Sequence, residues 1–261
     1  MKLTTQHADF LQNQVLNEKM SPYVAVERMK RSGLFKWTPC VKTVYNAIEN
    51  GRLEVIRAHL PYGKTRKKHK TNGTRMAYRT PPERSIDKRP PQAETRQEYG
   101  HWEMDTLVGG AGASACCLLV LTERKTRLTL LIRLPNRTQK SVRRALNRLE
   151  RTTDFFASIK SLTSDNGSEF WDFDAIERSV RNPKQKRCCH YYAHPYSAFE
   201  RGSNENANRL TRRFIPKDAD IGQYSLARLQ TIQETLNDMP RELLNGLSAS
   251  EATKNEQKNA T

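Results

Sequence analysis

Between residues 99 and 192, apolar segments follow one another in an order that few folds accommodate. Three strand-like runs separated by short turns come first and predict an antiparallel meander, and a segment with apolar residues at helical spacing follows them. The predicted strands are His101–Leu107, Ala115–Thr122, Arg127–Leu134, Ile159–Thr163 and Arg187–Tyr192, and the predicted helices are Gln139–Phe156, Phe170–Val180, Asn204–Phe214 and Ser225–Asn237. This order predicts an α/β fold of the RNase H-like kind, with a mixed five-stranded sheet flanked by helices.

The region before residue 62 predicts a small helical domain. Ser21-Pro22 is typical of a helix start and Gly33 of a helix end, and apolar spacing after Thr38-Pro39 predicts a second helix. Two helices in this order resemble a helix-turn-helix, in which the second helix would present Lys42, Thr43 and Asn46 to DNA. A plain helical subdomain that only packs explains the pattern equally well.

Charge is concentrated between that domain and the predicted sheet. The chain has 45 Lys and Arg against 28 Asp and Glu, a formal net charge of +17, which favours a polyanionic partner such as nucleic acid. We expect a helical domain at 1–61, a basic linker at 62–98 and the RNase H-like domain at 99–261, with the linker lying along phosphates. Its basic residues include Lys64, Arg66, Lys67, Lys68, Lys70, Arg75, Arg79, Arg84, Lys88 and Arg89.

The sequence shows no sign of a membrane or export segment. No apolar run approaches the roughly 18 residues needed to cross a bilayer, and the first twelve residues lack the apolar centre of a signal peptide. The five cysteines are an odd number and include two adjacent pairs, which fits reduced thiols better than a disulfide framework. We therefore expect a soluble cytoplasmic protein.

Three acidic residues stand where the predicted fold would bring them together. Asp105 lies in the first strand, Asp165 at the end of the fourth, and Glu205 in the first turn of a later helix. Carboxylates so close would repel one another unless divalent cations lay among them, and hard oxygen ligands suit Mg²⁺ or Mn²⁺. Two such ions about 4 Å apart can catalyse phosphoryl transfer. Spacing alone is weak evidence, since an Asp at a strand end more often caps a loop.

The helix around Glu205 carries polar groups on one face. Asn208, Arg209 and Arg212 follow Glu205 at three, four and seven residues, so a metal ligand and phosphate-binding groups would share a surface. The alternative is a solvated face with a Glu205–Arg209 ion pair. Competing acids are Glu103, which shares a strand face with Asp105, and Glu169 and Glu200.

Three sequence blocks resemble those of a known enzyme family. They are GHWEMDT at 100–106, TSDNGSEF at 163–170 and ERGSNENANR at 200–209, and the runs SIDKRP at 85–90 and RRFIPK at 212–217 add to them. Together they are similar to the catalytic blocks of the IS-thirty family of insertion-sequence transposases. The resemblance covers roughly residues 20–250.

The resemblance implies a retroviral-integrase-type core that cleaves the ends of a mobile element and transfers the freed 3′-hydroxyl to target DNA, with two Mg²⁺ ions. Asp105, Asp165 and Glu205 map onto the family's catalytic and metal-binding acids. Double-stranded DNA would be the partner of a homo-oligomer associated with the bacterial nucleoid. Members typically have a further helix-turn-helix before the region that begins here, so we expect recognition of element ends to be incomplete. The rival interpretations are a non-catalytic or truncated derivative that binds DNA, and a nuclease that cuts without joining.

Overall fold

The structure is a computed structural model that describes residues 3–61, 81–195 and 197–259. The expected DNA contacts at Lys64, Arg66, Lys67, Lys68 and Lys70 lie outside these residues. The described chain divides into two compact units, 3–61 with 238–252, and 81–237 with 253–259. No helix in the described ranges is long and apolar enough to cross a bilayer.

The first unit is built on three N-terminal helices, α1 (Thr5–Leu16), α2 (Pro22–Ser32) and α3 (Val41–Glu49). The predicted start and end of α2 are confirmed: Ser21 Oγ accepts a hydrogen bond from the Val24 amide, and Gly33 ends the helix at φ 66°. Residues 33–40 connect α2 to α3. This connection is longer than the three or four residues of a standard helix-turn-helix, so that motif remains a prediction.

The second unit contains the mixed sheet that the sequence predicts. Its strand order is β3-β2-β1-β4-β5, with antiparallel pairing from β3 to β1 and parallel pairing from β1 to β5. The predicted fold class is therefore confirmed. The strands are β1 (His101–Val108), β2 (Cys117–Glu123), β3 (Thr129–Leu134), β4 (Ser161–Ser164) and β5 (Cys189–Tyr192), and the helices of this unit are α4 (Pro91–Thr95), α5 (Gln139–Thr152), α6 (Phe173–Glu177), α7 (Gly202–Thr211) and α8 (Leu226–Asn237). The last helix, α9 (Ala249–Asn259), has its first four residues in the first unit and the rest in the second.

Alternation along β1 separates the apolar core from the polar residues of the sheet. Trp102 and Met104 are buried in one hydrophobic cluster with Val142 of α5. The residues between and after them, Glu103 and Asp105, point to the opposite face, because successive side chains of a strand alternate. That face is covered by α7, so the core packs on one side and the acidic residues lie on the other.

Part of the expected linker is folded against the sheet. Ser85 forms an isolated parallel bridge with Tyr192, and Arg84 pairs with the buried Glu177. Arg89 is buried, donating to Thr163 Oγ1 at 3.2 Å. For Arg84 and Arg89 the expectation that they lie along DNA phosphates is wrong, because both guanidinium groups are turned inward onto carboxyl and hydroxyl oxygens.

Candidate active site

The register of two parallel strands brings Asp105 and Asp165 side by side. β1 pairs with β4 so that Glu103 is opposite Thr163. Both aspartates lie two residues further along, where β1 continues and β4 has just ended. Equal offsets from a paired position put residues level with each other on neighbouring strands. The sequence expectation that these two acids converge follows from this pairing.

Backbone amides orient both carboxylates in the same way. The Thr106 amide donates to Asp105 Oδ1 at 2.7 Å, and the Gly167 amide donates to Asp165 Oδ1 at 3.0 Å. The second oxygen of each carboxylate faces one guanidinium: Nη1 of Arg201 lies 3.3 Å from Asp105 Oδ2. Its Nη2 lies 3.4 Å from Asp165 Oδ2. The two Oδ2 atoms thus share the guanidinium of Arg201.

The protonation of Asp165 reflects this crowding. Burial raises the pKa of Asp165, the charge of Arg201 lowers it, and the charges of Asp105 and Glu169 raise it further, with a net increase. The folded protein therefore stabilises the ionised form less well than water does, and additional positive charge would offset this effect. A site that concentrates carboxylates against their mutual repulsion is suited to binding a cation.

The donor set fits a hard divalent cation. Asp105 and Asp165 each direct one carboxylate oxygen at the Arg201 guanidinium, with which a bound metal ion would compete. Carboxylate oxygens are the ligands that Mg²⁺ and Mn²⁺ prefer. In the ranges that the structure describes, no group of three or more His, Cys, Asp or Glu residues has the arrangement of a metal site. Among the described carboxylates, Asp105 and Asp165 are the two that contact the guanidinium of Arg201.

Glu205 lies in the first turn of α7 and is exposed. Asn208, three residues later, donates from its side-chain amide to Asp105 Oδ2 at 2.9 Å, so the α7 face that begins at Glu205 is directed toward the aspartates. The role of Glu205 as third ligand remains a prediction. Asn204 fixes the helix on the sheet, since its backbone amide donates to Glu103 Oε2 at 2.7 Å and its Oδ1 accepts from Thr122.

The competing acids have distinct surroundings. Glu103 is fully buried and paired with Arg124. Glu200 binds His194, accepting from its backbone amide and contacting Nδ1 at 2.7 Å. Glu169 is also buried and accepts a hydrogen bond from Thr106 Oγ1 at 2.6 Å. Glu103 and Glu200 are thus occupied by structural contacts, whereas Glu169 lies beside the aspartates.

The residues expected to contact DNA lie on α3 and at the end of α7. Arg209 donates to Asn206 Oδ1, and Arg212 donates to the Val108 carbonyl at 2.7 Å. On α3, Lys42 and Asn46 are exposed, whereas Thr43 is half-buried with its Oγ1 3.2 Å from Cys40 Sγ. These contacts remain predictions.

Two arginines that the sequence interpretation did not select lie at the site. Arg201 bridges the aspartates, and Arg137 donates from Nε to Glu169 Oε1 at 2.6 Å. Arg201 stands inside the third sequence block, so that block contained a signal for it. Arg137 lies in the connection from β3 to α5, where no motif marks it.

A family model described as "Integrase core domain" matches residues 95–192. The chain is 33% identical over 205 residues to a probable transposase for insertion-like sequence element IS1161 from Streptococcus salivarius, covering 78% of this chain and 56% of that protein. It is 31% identical over 239 residues to the transposase for IS1086 from Cupriavidus metallidurans, covering 88% of this chain and 67% of that protein.

The Escherichia coli transposase InsI for IS30A is 35% identical over 164 residues, which are 61% of this chain and 39% of InsI. The catalytic core of BIV integrase aligns with 62% of this chain and 99% of its own, at 19% identity and a TM-score of 0.44. The chain thus spans little more than half of the IS1161 relative and less than half of InsI. From the match to the IS1086 transposase and the three catalytic blocks, the chain belongs to the IS30 (IS-thirty) family of insertion-sequence transposases.

Proposed function

We propose that this protein is a DDE transposase that cleaves the ends of an insertion sequence and joins them to target DNA. The observation that carries the proposal is the pair Asp105 and Asp165, level on adjacent parallel strands and sharing one cationic group. The relatives' names as transposases support the same activity. A chain of net charge +17 is suited to a polyanionic substrate.

In this proposal Asp105, Asp165 and Glu205 are the catalytic residues and hold two Mg²⁺ or Mn²⁺ ions. Bound ions of this kind activate the attacking oxygen and neutralise charge that develops during phosphoryl transfer. The chain's own groups set the geometry. The Thr106 and Gly167 amides fix one oxygen of each aspartate, and Asn208 holds the second oxygen of Asp105.

Binding of duplex DNA would be divided among several surfaces. Asn208 and Arg209 of α7, with Arg212 directly after it, would contact the strand near the aspartates, and α3 with the basic segment after residue 61 would contact DNA elsewhere. We propose that the unit containing the sheet is catalytic and that the protein acts as a homo-oligomer on DNA in the bacterial cytoplasm. The other proposed contacts are Lys42, Thr43, Asn46, Lys64, Arg66, Lys67, Lys68 and Lys70.

The test is a cleavage and joining assay on a duplex that carries the inverted repeat flanking the gene. With Mg²⁺, we expect cut ends and a strand-transfer product in a target plasmid, and neither product in EDTA. Asp105→Asn and Glu205→Gln should each lower both yields at least roughly a hundredfold, as loss of a group that stabilises the transition state does. Glu234→Gln, the same change at an exposed position of α8, is the matched control.

The products separate the rival functions. Metal-dependent cutting without joined product would indicate a nuclease, and binding with neither product would indicate a non-catalytic DNA-binding derivative. Full activity of Glu205→Gln with loss of activity in Glu169→Gln would move the third ligand to Glu169.

A further inference from the structure

Arg137 and Glu169 form an ion pair whose two members differ sharply in exposure. The Glu169 side chain is fully buried, whereas 49% of the Arg137 side chain is exposed. Arg137 uses only Nε in this contact, at 2.6 Å from Glu169 Oε1. Among the described residues, its two terminal nitrogens have no hydrogen-bond partner. The outer edge of the guanidinium, which is the part that binds phosphate bidentately, is therefore available to a ligand.

The pair lies beside the catalytic aspartates. The same Oε1 of Glu169 accepts a hydrogen bond from Thr106, the residue after Asp105. A Cβ placed on Gly167 would lie 2.7 Å from Glu169 Oε2 and 2.9 Å from Asp165 Oδ1, so both carboxylates converge on that glycine. Burial lowers the pKa of Arg137, but the hydrogen bond and charge of Glu169, with the charges of Asp165 and Asp105, outweigh it and raise the pKa.

The contacts of Glu169 indicate a purpose beyond stability. Its Oε2 is buried without a hydrogen-bond partner among the described residues. Burying a carboxylate that is only half satisfied costs free energy, and a well-packed apolar residue would stabilise the fold at least as well. What the carboxylate does achieve is to hold the Arg137 side chain in one orientation.

We propose that Arg137 binds a DNA phosphate next to the scissile bond and that Glu169 is the positioning residue that aims it. The ligand class is a phosphodiester of the strand being cut or joined. This inference rests on the proposed function, because it assumes that DNA occupies the aspartate site. A phosphate bound there would contact the guanidinium of Arg137, close to the aspartates that would hold the metal ions.

The test measures affinity without cleavage. Asp165→Asn is used as the background, and duplexes of the element end carry a neutral methylphosphonate at one position at a time around the cleavage site. We expect one position to weaken binding of the background protein roughly ten- to a hundredfold, as loss of one charge-assisted contact does. Adding Arg137→Gln should weaken binding of unmodified DNA by the same factor and make that methylphosphonate harmless.

Arg144→Gln, the same change at an exposed position of α5, is the matched control and should leave the methylphosphonate effect in place. If every methylphosphonate effect persists in Arg137→Gln, the phosphate role of Arg137 is wrong. That result would leave the proposed function intact, since cutting and joining are scored separately with the otherwise unchanged protein.

The positioning role of Glu169 is tested by a double-mutant cycle with Arg137, which compares DNA affinities. Glu169→Gln should weaken binding of unmodified DNA when Arg137 is present and have no further effect when Arg137 is already Gln. An equal effect in both backgrounds would make Glu169 structural only. Arg137→Lys covers the case in which Glu169→Gln does not fold: it keeps the charge, lacks the Nε donor, and should recover only part of the affinity.

Discussion

Arg201 Nη2 lies 3.4 Å from Asp165 Oδ2, and the opposite end of the same guanidinium reaches Asp105. Without a metal ion, the positive charge of Arg201 contacts both carboxylates and offsets their mutual repulsion. Arg201→Gln should therefore lower the melting temperature in EDTA by several degrees, which corresponds to about 1–2 kcal/mol. Mg²⁺ should then raise the melting temperature more in the variant than in the wild type, because it no longer competes with Arg201.

Differential scanning calorimetry in EDTA and in MgCl₂ measures both effects. Arg144→Gln controls for the loss of one positive charge elsewhere in the same unit. An unchanged melting temperature of Arg201→Gln in EDTA would contradict the bridging role.

Asp165→Asn separates chemistry from folding. Since the pKa of Asp165 is raised in the folded protein, its ionised form is less favourable there than in the unfolded chain, and a neutral isostere should leave the melting temperature unchanged or slightly higher. Cleavage should fall at least roughly a hundredfold, while affinity for duplex DNA is retained. A thermal melt, a binding isotherm and a Mg²⁺-dependent cleavage assay on one preparation test all three statements. Cleavage near the wild-type rate would exclude Asp165 as a ligand, and failure to fold would make it a structural loop residue.

Glu103 and Arg124 are expected to be far more important to stability than a surface pair. Both side chains are almost completely buried, so Glu103→Gln leaves the Arg124 charge with only the exposed carboxylate of Glu94, at 3.4 Å, and should cost about 3–5 kcal/mol. Urea unfolding should show a lower midpoint with an unchanged slope. Asp154→Asn breaks the exposed pair with Arg181 and should change stability by less than about 1 kcal/mol. Equal costs for the two variants would refute the importance of burial.

His190 should make the protein less stable in acid. Burial lowers its pKa from 6.5 to about 3, so the folded protein keeps the imidazole neutral. Between these values the unfolded chain binds a proton that the folded chain does not, and stability falls with decreasing pH by up to about 1.4 kcal/mol per unit. Well above pH 6.5 His190 is neutral in both the folded and the unfolded chain, so it no longer makes the stability depend on pH.

Urea unfolding at a series of pH values compares the wild type with His190→Gln, which can still hydrogen-bond to Ser164. The variant should have the shallower dependence below pH 6.5, whereas His59→Gln, an exposed control, should follow the wild type. Parallel curves for His190→Gln and the wild type would contradict the assignment of this pH dependence to His190.

The sheet could be predicted because its strands carry their own periodicity. Trp102 and Met104 alternate with Glu103 and Asp105, and that pattern alone places the acids on one face. Boundaries were less accurate: the helix expected to reach Phe156 ends at Thr152, and the one expected over Phe170–Val180 is reduced to Phe173–Glu177. Local propensity does not define where tertiary contacts end a helix.

The inward arginines could not be predicted from composition. Arg84 and Arg89 stand in a proline-containing basic run that has the pattern of a solvated tether, but Glu177 and Thr163 bind them from positions far along the chain. Arg137 is a similar case, since its partner Glu169 lies beyond α5 and β4. Pairings of this kind depend on which distant residue the fold places next to each arginine.

The parallel pairing of β1 with β4 also determines when the aspartate pair can form during synthesis. Glu103 and Thr163 meet only after the meander β1–β3 and α5 have been made, and the meander has the local contacts that form fastest. A nascent chain that has emerged only as far as α5 contains Asp105 but lacks its partner. The pair is therefore absent from early fragments, and the order of translation itself delays the appearance of the proposed DNA-cutting centre until most of the sheet is complete.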